Sequence, residues 1–257
     1  MKPTLLVLAG PTASGKSGWA LRFAKEHRGA IIAADSRTVY RELNLGAGKV
    51  TTEHPATWRT GASGPIATIE GIDHYGLNLV GLGDRFTVAD FQDYVYRLLP
   101  DLWRHGLQPI LVGGTGLYVS AVIEGYTFSG RGGRTSQTPA FPAQVFVIDR
   151  PRTELYARID ARLEERLDAG LLTEVVSLME GGHTKRLLAL GLEYRVLTEY
   201  LLGDHSPEQL SAAVAKLSGQ IHAYARRQLT WWRHHGSVRW ISGYTEFVER
   251  AEQAVRE

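Results

Sequence analysis

Residues 5–21 read LLVLAGPTASGKSGWAL: a short apolar run, a glycine-rich bend closing on Gly-Lys-Ser, then a helical pattern. Within it GPTASGKS, Gly10 to Ser17, matches G-x-x-x-x-G-K-[ST], placed between strand and helix as an anion cradle requires. The amides of the bend and of the helix N-terminus converge on one point and favour a phosphate or diphosphate there. Gly10, Thr12, Ala13, Ser14, Gly15, Lys16 and Ser17 are the candidate contacts. Lys16 adds a point charge, and the Ser17 hydroxyl is a candidate magnesium ligand. The motif says that an anion binds. It does not say what becomes of it.

The rest of the chain repeats the strand-then-helix rhythm. Continuous apolar runs at Leu5, Ala30 to Asp35, Pro109 to Gly114 and Ala143 to Asp149 read as strands covered on both faces, the mark of a parallel sheet between helices. One helix opens at Thr87 with Asp90 in capping-box spacing, carries Phe91, Val95, Leu98 and Leu102 on one face, and closes at Gly106. Pro100 is expected to bend it. After the fourth strand the chain turns helical: one helix ends on Gly170. Another opens at Ser206-Pro207 with Gln209 completing its box, and runs through Leu210, Val214, Leu217, Ile221, Tyr224 and Trp231. Two stretches, Gly48 to Pro65 and Gly125 to Pro142, are loop-like in composition, the second a mobile loop. The expected fold is α/β: one domain with a P-loop NTPase-like parallel sheet flanked by helices and a helical C-terminal half.

Composition removes several classes. Across 257 residues there is no cysteine, so disulfides, thiolate metal sites and a thiol nucleophile are excluded. A net charge of +2 leaves nucleic-acid affinity to local clustering. No apolar run nears the roughly 20 residues of a membrane span, and the start lacks a signal-peptide layout. The expectation is a cytoplasmic protein without a membrane partner.

Three further features carry chemistry. Asp35 closes the second strand, the end such sheets turn toward their ligand, and a carboxylate there can serve as general base. The alternative is that it caps a turn or holds magnesium through water. Arg158 and Arg162 share a helix face, fit to clamp a diphosphate or to form an ordinary salt-bridged surface. HAYARRQLTWWRHHGSVRW, His222 to Trp240, interleaves arginine with aromatics, as RNA loops require and as a helix with a Trp-rich core face would also show. Gln228 falls on the apolar stripe, where a polar group needs a partner, a base or a backbone turn. The strand PILVGG ends in glycines and Thr115, without the acid an ATPase uses to organise magnesium and water. That leaves a small-molecule kinase or a diphosphate-using transferase.

Taken together, GPTASGKS, AADSRTVYRELNLGAGKVT, FTVADFQ, ILVGGTGLYVSAV, DRPRTELYARIDARLEERLDAGLLTEV and AYARRQLTWWR resemble, in order and over nearly the whole chain, the tRNA dimethylallyltransferase family. The resemblance implies that the cradle holds dimethylallyl diphosphate with magnesium on Ser17, and that Asp35 is the base for an adenine N6 amine beside the anticodon. It assigns Lys16, Thr115 and Arg162 to catalysis and Arg158 to the diphosphate. Asp35, Ser36, Arg37, Thr38 and Thr115 would meet the substrate base. Arg226, Arg227, Gln228, Trp231 and Arg233 would meet the tRNA anticodon arm, with the protein acting as a monomer. Departures from the family pattern are also present. Its helical insertion is replaced by GYTFSGRGGRTSQTPAFP, Gly125 to Pro142, in which Arg131 and Arg134 are candidate remnants of an RNA grip. The usual Gly-Tyr-Lys-Glu run reads GLEY, Gly191 to Tyr194. The double histidine reads DHYGLN, and His222 stands where an arginine is usual. These departures keep a free adenine nucleotide open as the acceptor.

Overall fold

The computed structural model describes residues 3–128, 134–136, 141–235 and 237–256. In chain order the elements are β1 (Leu5–Ala9), α1 (Lys16–Glu26), β2 (Gly29–Ala33), a 3-10 turn (Val50–Thr52), β3 (Thr57–Gly61), β4 (Gly64–Ile69), β5 (Ile72–Tyr75), α2 (Val88–Arg104), β6 (Gln108–Gly113), α3 (Gly116–Glu124), β7 (Tyr126–Phe128), β8 (Arg134–Ser136) and β9 (Ala143–Ile148). There follow α4 (Arg152–Asp168), α5 (Leu171–Glu180), α6 (Thr184–Leu190), α7 (Leu192–Leu201), α8 (Pro207–Arg233), β10 (Val238–Ile241) and α9 (Tyr244–Arg256).

The main sheet runs β10-β9-β1-β6-β2-β5-β4-β3. Its first six strands are parallel; β4 and β3 complete it antiparallel. Period-two alternation sorts β1 onto two cores. Leu5, Val7 and Ala9 join the α2–α8 side. Leu6 and Leu8 join the α1 and α9 side with Phe23, Ile110 and Phe247. All five are sealed from solvent, which is why the run is apolar without interruption.

The α/β fold with parallel sheet and flanking helices is as expected; several details differ. Gly48 to Pro65 is not simply loop: after the 3-10 turn, β3 and β4 form a hairpin closed at Gly61 and Gly64. β3 is an exposed edge strand, so it carries no buried alternation for a sequence reading to find. The helical C-terminal half returns to the sheet as β10, pairing with β9, before α9. α2 continues through Pro100, with the Thr87–Asp90 capping box formed. Ser206 caps α8, but Gln209 does not complete a box; its amide turns to Asp204. The buried stripe of α8 is Leu217, Ile221, Ala225, Gln228 and Trp232. It ends on Trp232, and Trp231 lies at its edge over Gly116, where any side chain would collide with the indole. In the Gly125 to Pro142 segment the described residues include a short antiparallel pair, β7 with β8. Arg131 lies outside the described residues.

Two polar side chains tie this frame together. Gln228, 6% exposed, accepts from the Thr12 amide at 2.8 Å through Oε1 and donates to the Gly114 carbonyl at 2.8 Å through Nε2. α8 is thereby fastened across the ends of β1 and β6. Lys49, fully buried, shares its three N–H donors among Tyr40 O, Arg41 O, Asn44 Oδ1 and Asn78 Oδ1 at 2.6–3.3 Å. Among the described residues no carboxylate forms an ion pair with it, and burial, opposed by Glu174 and Glu42 at longer range, pulls its ammonium down to about 8.

Both ties make testable demands. Lys49→Met strands four acceptors and should cost about 3 kcal/mol, read by urea unfolding. Gln228→Leu keeps the volume but orphans the Thr12 amide and the Gly114 carbonyl. A loss of about 2 kcal/mol is expected in the same measurement, together with weaker anion binding at the cradle.

Candidate active site

The cradle forms where β1 turns into α1. Gly15 caps α1 at φ 94° and Ala13 lies at φ 59°, a left-handed bend that turns successive amides toward one point. The Ser14 side chain faces inward, buried and without a partner, and its amide donates to Pro11 O, so its side chain is not offered to a ligand. Lys16 Nζ donates to Pro11 O at 2.7 Å. Burial first, then the Arg162 cation, lower its ammonium to about 8, while Asp35 pulls the other way. Ser17 is exposed at the first turn of α1.

A pocket opens beside Lys16. Ile31, Ala33, Val50, Leu77 and Val112 give it an apolar wall; Thr12, Lys16, Ser17, Arg162 and Asp35 give it charge and polarity. Ser36, Arg37, Thr38, Tyr224 and Gln228 also line it. Asp35 stands two residues past the end of β2. Its Oδ1 accepts from the amides of Arg37 at 2.8 Å and Thr38 at 3.4 Å, so it does cap a turn. Its Oδ2 makes no hydrogen bond to a described residue. Capping thus orients the carboxylate through Oδ1 and leaves Oδ2 open to the pocket. Thr115 does not line the pocket: its Oγ1 accepts from the Ser36 amide at 3.3 Å and lies near the Tyr224 hydroxyl. Burial, with Asp35 nearby, raises that phenol to about 12.

A second cleft lies outside the cradle, lined by Lys16, Ser17, Trp19, Glu53, Arg150, Arg158 and Arg162 among others. Arg150 Nε donates to Ser14 O at 2.6 Å and Arg158 Nε to Ala13 O at 2.8 Å. Both hold the loop from behind while their terminal nitrogens lie near Gly15. Arg162 instead pairs with Glu53.

The loop after Asp35 is held by acids from the helical half. Glu193, 5% exposed, accepts from Arg37 Nη1 at 2.7 Å and lies 3.6 Å from Arg166. Glu174 accepts from the amides of Leu45 at 2.7 Å and Gly46 at 3.1 Å and from the Tyr194 hydroxyl at 2.9 Å. The sequence reading missed Arg150, Tyr224, Glu174 and Glu193. Arg150 carried a findable signal, lying directly after a strand end in DRPR. The two glutamates look like ordinary helix surface in sequence.

On α8, Arg226, Arg227 and Arg233 are exposed. Arg226 reaches Tyr156 Oη at 2.7 Å, and Arg227 lies 5.7 Å over the Tyr224 ring. Trp231 stacks on His235 at 5.4 Å. Arg226, Arg227, Trp231 and His235, with Ala223 and Thr230, line a surface groove on the side of α8 adjoining its pocket-lining residues. His222 stacks on Tyr156 at 3.9 Å beside Asp160. The cradle, Asp35 to Thr38, Arg162 and Gln228 thus meet around one pocket. Arg226, Arg227 and Trp231 lie on the neighbouring groove, and the Arg37 guanidinium and both ends of Gln228 are already engaged by protein.

Residues 38–137 and 127–235 match the IPP transferase family, and residues 3–59 match isopentenyl transferase. A tRNA dimethylallyltransferase of Syntrophus aciditrophicus is 32% identical over 95% of this chain and 95% of its own length. Another, from Thermoanaerobacter sp. (strain X514), is 27% identical over an alignment of 320 residues covering 98% of this chain and 96% of the relative. The crystal structure of tRNA delta(2)-isopentenylpyrophosphate transferase from Staphylococcus epidermidis superposes with TM-score 0.81 at 25% identity, covering 99% of both chains. Among the described residues no helix is long and apolar enough to cross a membrane. With the family match spanning most of the sequence and the cradle, Asp35 and α8 gathered at one pocket, the chain belongs to the IPP transferase family, prenyl transferases that modify tRNA.

Proposed function

We propose that this chain, acting as a monomer, transfers a dimethylallyl group from dimethylallyl diphosphate to the N6 amine of an adenosine next to the anticodon of tRNA. One observation carries the reading: cations for a diphosphate, an apolar wall for a five-carbon tail and a carboxylate with a free oxygen share a single pocket. The donor's C–O bond breaks and its electron pair leaves with the diphosphate, where Lys16, the cradle amides, Arg158 and Arg162 take up the charge. N6 bonds to the freed carbon, and its proton passes to Asp35. Thr115 and Tyr224 steady the Ser36 side of the pocket.

Among the described residues no group of three or more His, Cys, Asp or Glu could hold a metal. Ser17 offers an exposed hydroxyl facing both clefts, which suits magnesium, a hard cation that keeps much of its water and shares phosphate oxygens. When bound, the ion supplies further neutralisation of the diphosphate.

The groove of Arg226, Arg227 and Trp231, with Arg233 at the end of α8, supports an RNA contact beside the pocket. The single domain with a shortened 125–142 segment in place of a helical insertion is supported by the two family matches meeting at 127–137 and by relatives aligned over more positions than this chain has residues. Labelled dimethylallyl diphosphate incubated with magnesium and either unmodified tRNA or AMP tests the acceptor. Label is expected in tRNA; label in AMP alone would replace tRNA by a free nucleotide.

Two predictions follow from the site itself. Asp35→Asn should lower kcat by about 10²- to 10⁴-fold with tRNA binding retained, read by label transfer and filter binding. Lys16 is the pH-sensitive contact. Anion binding raises its pKa above the free value of about 8, so binding is full below that pH and weakens as pH rises through it, at up to about tenfold per unit. Calorimetry of inorganic diphosphate in buffers of different ionisation heat should show proton uptake at pH 9 that Lys16→Met removes.

A further inference from the structure

Of the arginines around the cradle, Arg162 is held differently. Arg150 and Arg158 spend their Nε on cradle carbonyls. Arg162 makes no hydrogen bond to the cradle: its Nε donates to Glu53 Oε1 at 3.0 Å and its Nη2 to the same oxygen, while Nη1 makes no hydrogen bond to a described residue. Glu53 reaches it from across the cleft. It ends the 3-10 turn, which is itself pinned, because the Glu53 amide bonds Val50 O and Thr52 bonds the carbonyl of buried Lys49. Arg162 lies close enough to Lys16 to lower its pKa and lines both the inner pocket and the outer cleft. A carboxylate therefore partners Arg162, which with Lys16 is one of the two cations that line both clefts.

We propose that Glu53 is a positioning residue for prenyl transfer, an exchangeable counter-ion that holds Arg162 until the diphosphate takes it over. This rests on the diphosphate-donor reading above. In the intact donor the bridging oxygen bears little charge, and Glu53 competes well for the guanidinium. As the C–O bond breaks, that oxygen and its phosphate gain the electron pair, and Arg162 transfers to them. Glu53, at 43% side-chain exposure, is then left to water at small cost. The contact is thereby weighted toward the departing group over the bound donor, the form of binding that raises kcat. On product release Glu53 recaptures Arg162 and helps expel the diphosphate.

A double-mutant cycle on the whole chain tests this, with inorganic diphosphate binding read by calorimetry for wild type, Glu53→Gln, Arg162→Ala and the double variant. Glu53→Gln keeps shape and removes charge. It should bind diphosphate about three- to fivefold more tightly, and the gain should vanish when Arg162 is alanine. In turnover, Glu53→Gln should lower the donor KM and kcat together. Equal or weaker diphosphate binding by Glu53→Gln, or the same gain in both backgrounds, overturns the role of Glu53. A wild-type chain that binds no diphosphate overturns the donor reading itself, and this inference with it.

Discussion

The amide of Gln228 is the contact on which the rest of the site depends. A backbone N–H needs an oxygen and a carbonyl needs an N–H, and Gln228 supplies one of each, to Thr12 and to Gly114. Because both partners are backbone, the amide has a single orientation and α8 a single height above the sheet. Gly114 and Gly116 are small because that helix presses on them; a methyl group at either would strike Gln228 or Trp231. The cradle, the end of β6 and the pocket-lining face of α8 are thus one assembly.

The opposite wall is built by a different balance of forces. The loop from Asp35 to Lys49 has little regular structure, yet it is held by charge from within and without. Lys49 gathers four oxygens beneath it. Glu174 and Glu193 reach in from the helical half to its amides and to Arg37. Buried charges held in this way, one by an ion pair and two by neutral polar groups, stabilise weakly in net terms, but losing a partner leaves a buried charge unsatisfied, so they impose one geometry more than they add stability. The free oxygen of Asp35 is aimed by that geometry.

The parallel sheet, its bend and the cradle were legible in sequence because each is written in neighbouring residues: continuous apolar runs, a glycine spacing, a lysine and a serine. Asp35 was legible because strand ends point at ligands. What was hidden had partners far away in the chain. Glu174 and Glu193 carry no local sign of the loop they hold, and β3, with water on its open edge, has no buried alternation. Gln228 was visible as a misplaced polar group, but its partners, more than a hundred residues away, were not. Trp231 and Trp232 stand side by side, and a helical wheel alone set the stripe one residue from where the packing of α3 places it.

The return of the chain to the sheet at β10 has a consequence for how the molecule is made. β9 and β10 are neighbours, so all of α4 to α8 is a single excursion that leaves and re-enters the sheet at one edge. During synthesis the cradle residues emerge early, but the tie that covers them comes from Gln228, whose partners are Thr12 and Gly114, so it cannot form until residue 228 has emerged. Pocket closure by α8 therefore belongs to the late stage of synthesis, and a ribosome stalled before Gln228 would carry a cradle without its covering helix.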